Sequence, residues 1–440
     1  MLSNFYKTAL RVFLKQKAHS LINIAGLSIG LAATLLIALF VVQEFSTDKF
    51  HEKLERVYLL PMTWHFGETD LPTGSNCSAG GPFVAESFSE VEDYVRVSGT
   101  SRTFSKGSEV FREDNLLVCD SSFFRIFTFE ILAGNPDKAL AEPQSIVITK
   151  SIAEKYFDVG QDATFHELIG ETMVSAGKLF NVTAVVEDPP VTSHLKFTAL
   201  ISMSSMPQDV WEPSWNNSSM QTYVLFQGPI DVPSTVDRMN DQLKLRYGQD
   251  FTAVELDLVR LKDVYLNNEK YPLPNTSSIK HAKIFSGIAL LILVIAVVNY
   301  VNLTTARSVE RAKEVGVRKV MGAHQPDLVR QFLGESFITV SMSIAIATGI
   351  AALLIPLFNS LTSRQLGMET IFSQHGLAIL LVSGITINLL AGLYPALVIS
   401  GFHPIRVLKG KLKDSHGGIQ LRKYLVVFQF CISIGLVACT

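Results

Sequence analysis

Cysteine is scarce in this sequence, with four in 440 residues, at positions 77, 119, 431 and 439. Their spacing matches no metal site and no disulfide-dense scaffold. Cys77 and Cys119 can pair in an oxidising compartment or remain two separate thiols, and the sequence does not choose between them. Charge is also sparse. Only 18% of residues are charged and the net charge is −2, which excludes a strongly basic nucleic-acid binder. No phosphate-binding loop is present. The nearest approach, Gly170…Gly177-Lys178-Leu179, sets its glycines seven apart rather than five and puts leucine where a magnesium-ligating serine or threonine belongs. His51, His65, His166, His194 and His281 are scattered without a metal-ligand pattern. No Gly-x-Ser-x-Gly elbow occurs either. The chain is therefore read as no enzyme, with no cofactor of its own.

Apolar residues, by contrast, are abundant at 48% and gathered into runs. A helix of about 20 residues crosses a hydrocarbon core of roughly 30 Å. Runs of that kind occupy Leu21 to Val42, Ile284 to Leu303, Phe337 to Phe358 and Leu377 to Ile399, and a fifth begins at Tyr424. The first is too long for a signal-peptide core, and Val42-Gln43-Glu44-Phe45 is no cleavage site, so an uncleaved anchor is expected. Asn299, Asn302 and Asn388 are polar but not titratable, and Glu335 stands near a membrane entrance, so no proton-relay pattern emerges.

Basic residues orient these runs. The N-terminal stretch carries Lys7, Arg11, Lys15 and Lys17 without an acid. The connections after the second and fourth runs are also basic, whereas the short connection after the third carries only Arg364 against Glu369. The positive-inside rule puts the N-terminus in the cytoplasm. The expected order is a cytoplasmic segment 1–20, span 21–43, external domain 44–283, span 284–303, cytoplasmic loop 304–334 and span 335–358. A short external loop 359–376, span 377–402, basic cytoplasmic linker 403–423 and the start of a fifth span, 424–440, follow. That last run is expected to be completed in a longer protein.

The external insert is long enough for a domain of its own. Short β-like runs at 56–60, 144–148, 180–186 and 222–226, with helical stretches at 151–157 and 235–247, predict an α+β fold. Asp188-Pro189-Pro190 ends a strand, because proline cannot donate to the ladder. The fold class is thus a polytopic α-helical membrane protein, with a large α+β extracytoplasmic domain inserted between transmembrane helices 1 and 2.

Between spans two and three, Glu314 precedes Arg318 by four and Glu310 precedes Lys313 by three, both helix-supporting spacings. Gly322 is positioned to end this helix and Pro326 to begin the next. An amphipathic helix here can lie on lipid headgroups or dock a cytoplasmic ATPase. In the first span, Gly26 and Gly30 make a Gly-x-x-x-Gly step that permits close helix approach, or reflects the ordinary glycine content of spans.

The stretch Arg307-Ser308-Val309-Glu310-Arg311-Ala312-Lys313-Glu314-Val315-Gly316-Val317-Arg318-Lys319-Val320-Met321-Gly322-Ala323, followed by Phe332-Leu333-Gly334-Glu335-Ser336, resembles the signature of MacB-like and FtsX-like ABC permeases. The likeness extends to Thr47-Asp48-Lys49-Phe50-His51 after the first span and to Val185-Val186-Glu187-Asp188-Pro189-Pro190 with Ser193-His194-Leu195 in the outer domain. It reaches Gly392-Leu393-Tyr394-Pro395-Ala396 and Phe402-His403-Pro404 beyond. The run Tyr156 to Ala163 departs from the family pattern. Larger relatives carry two copies of this unit, and Ser28-Ile29-Gly30-Leu31 recurs as Ser433-Ile434-Gly435-Leu436.

The resemblance implies the permease subunit of a MacB-type ABC transporter in a bacterial inner membrane, exporting a drug, peptide or lipid-like substrate. ATP and magnesium would be bound by a separate cytoplasmic ATPase subunit, coupled through Glu310, Arg311, Lys313, Glu314, Gly316, Arg318, Lys319, Gly322 and Ala323. A permease dimer or its duplicated-chain equivalent, a periplasmic adaptor, an outer-membrane channel and membrane lipid complete the implied partners, with no nucleic acid. The rivals are a lipoprotein-releasing or division-type permease and, from another class, a membrane-anchored sensor.

Overall fold

The computed structural model describes residues 17–106, 109–157, 164–216, 218–248, 253–267, 269–306, 315–362, 364–392 and 416–439. The chain divides into two compact units, Met1–Gln43 with Lys280–Thr440, and Glu44–Ile279.

The first unit is helical. Its main elements are α1 (Lys17–Ser46), α2 (Ile279–Ala306), α3 (Gln325–Thr362), α4 (Gln374–Ile387) and α5 (His416–Cys439). The first three are long and apolar enough to cross a membrane. A π turn, Asn388–Gly392, continues α4. α3 is longer than expected. It begins at Gln325, inside the stretch read as a cytoplasmic loop, and passes through Pro356 as one element. The early start has a packing cause: Leu328 and Phe332, on the first turns of α3, meet Val315 across the preceding turn. Leu27, Leu31 and Leu35 of α1 share a buried cluster with Ala296, Val297 and Tyr300 of α2 and Val340 and Ala347 of α3.

The second unit is built on a mixed sheet. The strands in chain order are β1 (Val57–Leu59), β2 (Met62–Phe66), β3 (Thr69–Thr73), β4 (Val91–Lys106), β5 (Glu109–Cys119), β6 (Ile131–Gly134) and β7 (Ser145–Thr149). They continue as β8 (Thr172–Ser175), β9 (Lys178–Val186), β10 (Ala199–Ser202), β11 (Gln221–Phe226), β12 (Val254–Leu256) and β13 (Val259–Arg260). The large sheet runs β13-β1-β11-β4-β5-β10-β7-β9-β6, with β8 bridging β4 and β9, while β12-β2-β3 form a smaller one. Pairing is antiparallel except for β10 on β5 and β7 on β9.

Both faces of the large sheet are covered, and the two-residue period of a strand decides which residue goes where. Val57 and Leu59 of β1, with Tyr223 and Leu225 of β11, enter one core. Their alternates Tyr58, Leu60, Val224 and Phe226 enter another on the opposite face. Ile146 and Ile148 of β7 join Val182 of β9 in a third. Strands buried on both faces read as near-continuous apolar runs, which is why β1, β7 and β11 coincide with runs picked out in the sequence. Cys77 and Cys119 are buried in different clusters and form no disulfide.

Candidate functional site: a capped turn, a helix seam and a buried polar cluster

Three features gather the residues of interest. The first is the turn before α3. Residues 315–320 are helical, and Gly322 follows in left-handed backbone at φ +96°. The Ala323 N–H donates to Arg318 O at 3.0 Å and the Gly322 N–H to Lys319 O at 3.1 Å. These paired bonds close a helix end in the manner of a Schellman cap, where glycine avoids the steric penalty of a Cβ. The cap is tied to α3 by side chains: Arg318 Nη1 donates to Gln331 Oε1 at 2.5 Å, and Gln331 Nε2 to Glu335 Oε1 at 3.0 Å. Gly316 is buried, and Lys319 and Ala323 are half-buried. Val317, Val320 and Met321 point outward, 49%, 67% and 82% exposed. Glu310, Arg311, Lys313 and Glu314 lie outside the described residues. Of the residues marked for coupling in the sequence, Gly316, Arg318, Lys319, Gly322 and Ala323 fall on this capped turn.

The second feature is the seam between α1 and α2. A Cβ built on Gly30 would stand 2.6 Å from the Ala296 Cβ, and one on Gly26 would stand 3.3 Å from Asn299 Nδ2. Backbones this close require a glycine on one side. Ser28 Oγ donates to Ser343 O of α3 at 3.1 Å, so the same stretch of α1 is fixed on two sides. Spacing had marked Gly26 and Gly30 without showing what they meet.

The third feature was missed. His51 and His194, far apart in the chain, converge on Asp48 in the second unit. His194 Nδ1 stands 2.8 Å from Asp48 Oδ2, close in distance but off the line of a hydrogen bond. Two bare acceptors at that separation would repel, so Nδ1 carries the proton. His194 Nε2 is 2.6 Å from Tyr223 Oη. Burial first, then the Asp48 carboxylate, raise the Tyr223 hydroxyl well above its ordinary range, so it stays protonated. The available signal lay in the quoted segments: Thr47 to His51 and Ser193 to Leu195 each hold a member of this cluster.

His51 itself sits among Phe50, Phe127 and Phe129. Its Nδ1 accepts from the Thr128 N–H at 3.1 Å, which places the ring proton on Nε2. Protonating Nδ1 would set a donor against a donor. Burial, opposed by Asp48 and aided by His194, lowers the His51 pKa from 6.5 to about 4. The unfolded chain therefore takes up a proton here that the folded domain refuses. The resulting stability is full above pH 6.5 and lost as pH falls toward 4, by roughly 3 kcal/mol at the limit. All three tryptophans, Trp64, Trp211 and Trp215, lie in this unit. Tryptophan-monitored urea unfolding of the whole chain should show a midpoint that drops between pH 7 and 4.5, with a flatter dependence in His51→Gln. Equal pH slopes in the two proteins would take His51 out of the explanation.

Comparison with known proteins supplies the family. A family model for the MacB-like periplasmic core domain matches residues 20–242, more than half the chain. A second, for the FtsX-like permease C-terminal region, matches residues 286–404. The chain belongs to the MacB/FtsX-like ABC permease family. It is 33% identical over 138 residues to the macrolide export ATP-binding/permease protein MacB of Bdellovibrio bacteriovorus, covering 31% of this chain and 20% of that one. It is 20% identical to the ABC transporter permease YvrN of Bacillus subtilis over 89% of this chain and 96% of that protein. The chain spans less than half the length of the macrolide-export relatives, 42% in the longer match, to a Shewanella protein. The solved periplasmic region of MacB from Actinobacillus actinomycetemcomitans shares 13% identity with it at a TM-score of 0.33, over 48% of this chain and 92% of that one. As a MacB/FtsX-like permease the chain carries both matched regions in sequence order, the core domain first.

Proposed function

We propose that this chain is the permease subunit of a MacB-type ABC transporter in a bacterial inner membrane. It would couple ATP hydrolysis by a separate cytoplasmic subunit to movement of an extracytoplasmic core domain, and so to export of a drug, peptide or lipid-like cargo. The observation that carries this reading is the capped turn before α3. Val317, Val320 and Met321 make an exposed apolar face beside the basic residues Arg318 and Lys319, on a helix that the Val315–Leu328–Phe332 packing and the Arg318–Gln331–Glu335 chain join to α3. An apolar helix face with a polar rim suits docking into a groove on a partner, and its rigid attachment lets a push on the turn reach the span. ATP and magnesium belong to that partner. A second permease copy, or a duplicated half, and lipid complete the assembly, with a periplasmic adaptor and an outer-membrane channel as further partners.

The test is a pull-down of the tagged full-length protein from its native membranes, with ATPase activity assayed on the eluate. Hydrolysis by a co-purifying nucleotide-binding subunit is expected. A folded, inactive protein without such a partner would overturn the reading in favour of a membrane-anchored sensor.

A further inference from the structure

The last turn of α1 does not end free. The Glu44 carboxylate is buried and accepts from Tyr265 Oη at 2.6 Å. Two residues beyond the helix, Asp48 adopts left-handed backbone at φ +63°, and its N–H donates to Thr192 O at 2.7 Å. The Asp48 side chain is wholly buried. Its Oδ1 accepts from the His194 N–H at 3.0 Å while Oδ2 faces the imidazole. The imidazole in turn reaches Tyr223 Oη, which also lies 3.1 Å from Gln221 Oε1. Tyr223 lies on an interior strand: it registers with Leu59 of β1 on one side and Val95 of β4 on the other.

A buried cluster of polar and ionisable side chains is a costly way to hold a fold, because an apolar group of similar size often serves stability as well or better. What such a cluster supplies is fixed geometry at one point. Residues 47–56 connect α1 to β1 as a run of hydrogen-bonded turns, with Phe50 and Leu54 packed on the core of the sheet. The Asp48 side chain adds a second, shorter connection, from the end of α1 through His194 to Tyr223 of β11.

We infer that Asp48, His194 and Tyr223 form a clasp that carries displacement of α1 to β11, an interior strand of the large sheet, by a shorter path than the connecting chain. They are positioning residues of the transport cycle, acting alongside the Glu44–Tyr265 bond. The inference rests on the permease reading, since it takes α1 to move when the partner ATPase turns over.

The experiment uses the full-length protein with its co-purified ATPase in nanodiscs, comparing amide hydrogen exchange with ATP plus vanadate against nucleotide-free protein. In the wild type, exchange in β11 is expected to change by about threefold or more on trapping, as a shifted local opening equilibrium requires. Asp48→Gly keeps the left-handed backbone and removes the carboxylate, and Tyr223→Phe keeps the ring and removes the hydroxyl. Both should lose most of that change while ATP hydrolysis and partner retention stay within about twofold of wild type. Asp48→Asn, which tolerates the same backbone and keeps an acceptor for the His194 N–H, should recover part of it. A merely structural role would instead lower the thermal midpoint and leave the nucleotide-driven change intact. A full response in Tyr223→Phe overturns the clasp and leaves the permease reading standing, and this variant carries the test if Asp48→Gly unfolds. A wild-type protein whose sheet ignores nucleotide, with an active ATPase bound, overturns both.

Discussion

Replacing Val320 and Met321 together by aspartate should strip the partner ATPase from the protein while leaving its membrane helices intact. Both side chains point away from the core, 67% and 82% exposed, so the change introduces no buried charge into the free chain. In a complex the same positions would be covered. An unpaired charge sealed in an interface costs about 3–5 kcal/mol, and 1.4 kcal/mol is tenfold in affinity, so affinity for the ATPase should fall by about two to three and a half orders of magnitude. Gly316→Arg should act differently. Gly316 is buried beside Val315, so the longer side chain would displace the helix from α3 and uncouple hydrolysis from transport without abolishing binding. Measured on equal amounts of protein, the aspartate pair should lose bound ATPase, and the arginine variant should keep hydrolysis but lose vectorial work. Wild-type retention in the aspartate pair would remove the docking role from this turn.

The second large effect concerns the seam. Gly30→Leu puts a branched side chain where even a Cβ would stand 2.6 Å from the Ala296 Cβ. Overpacking of this kind costs about 1–3 kcal/mol in a core that can relax. Here the obstacle is a methyl on a facing helix, which cannot rotate out of the way. Gly30→Leu should therefore sharply reduce the yield of folded protein, and Gly30→Ala should lower its thermal midpoint. Ala296→Gly should compensate Gly30→Ala, because it removes the atom that the new Cβ meets. A double-mutant cycle on thermal stability should report a coupling of about 0.5–3 kcal/mol, the range for residues in direct contact. Additive effects would mean that the two helices do not pack at this point.

Much of this was legible from local pattern. The apolar runs marked the long helices because spanning a membrane is a constraint on composition over some 20 residues. β1, β7 and β11 were legible because burial on both faces leaves no polar alternation to confuse with loop, and β9 because its buried Phe180, Val182 and Ala184 alternate with polar Asn181 and Thr183. Gly322 was legible as a helix stop because left-handed backbone there strongly favours glycine. Whatever depends on long-range pairing was not. Gly30 signals closeness, yet nothing in its neighbourhood names Ala296 as what it approaches. His51 and His194 read as two scattered histidines, since 143 residues separate them and only the fold sets both against Asp48. The parallel pairs β5 with β10 and β7 with β9 are hidden for the same reason. Pro326 marked the beginning of α3, which starts at Gln325, but the packing of Leu328 and Phe332 on Val315 is a tertiary contact that local pattern does not name.

The central claim is vectorial: energy supplied at the turn on one side of the membrane acts on the sheet domain on the other. It is tested most directly by sidedness. Cys431→Ser and Cys439→Ser remove the thiols outside the sheet domain, while Cys77 and Cys119 are buried. Into that background go Phe66→Cys, on an exposed strand end of the sheet domain, and Val320→Cys, on the exposed turn. With a membrane-impermeant maleimide and an outer membrane made permeable, the cysteine at 66 should label in intact spheroplasts and the one at 320 only after lysis. Labelling of both from the same side would contradict the account.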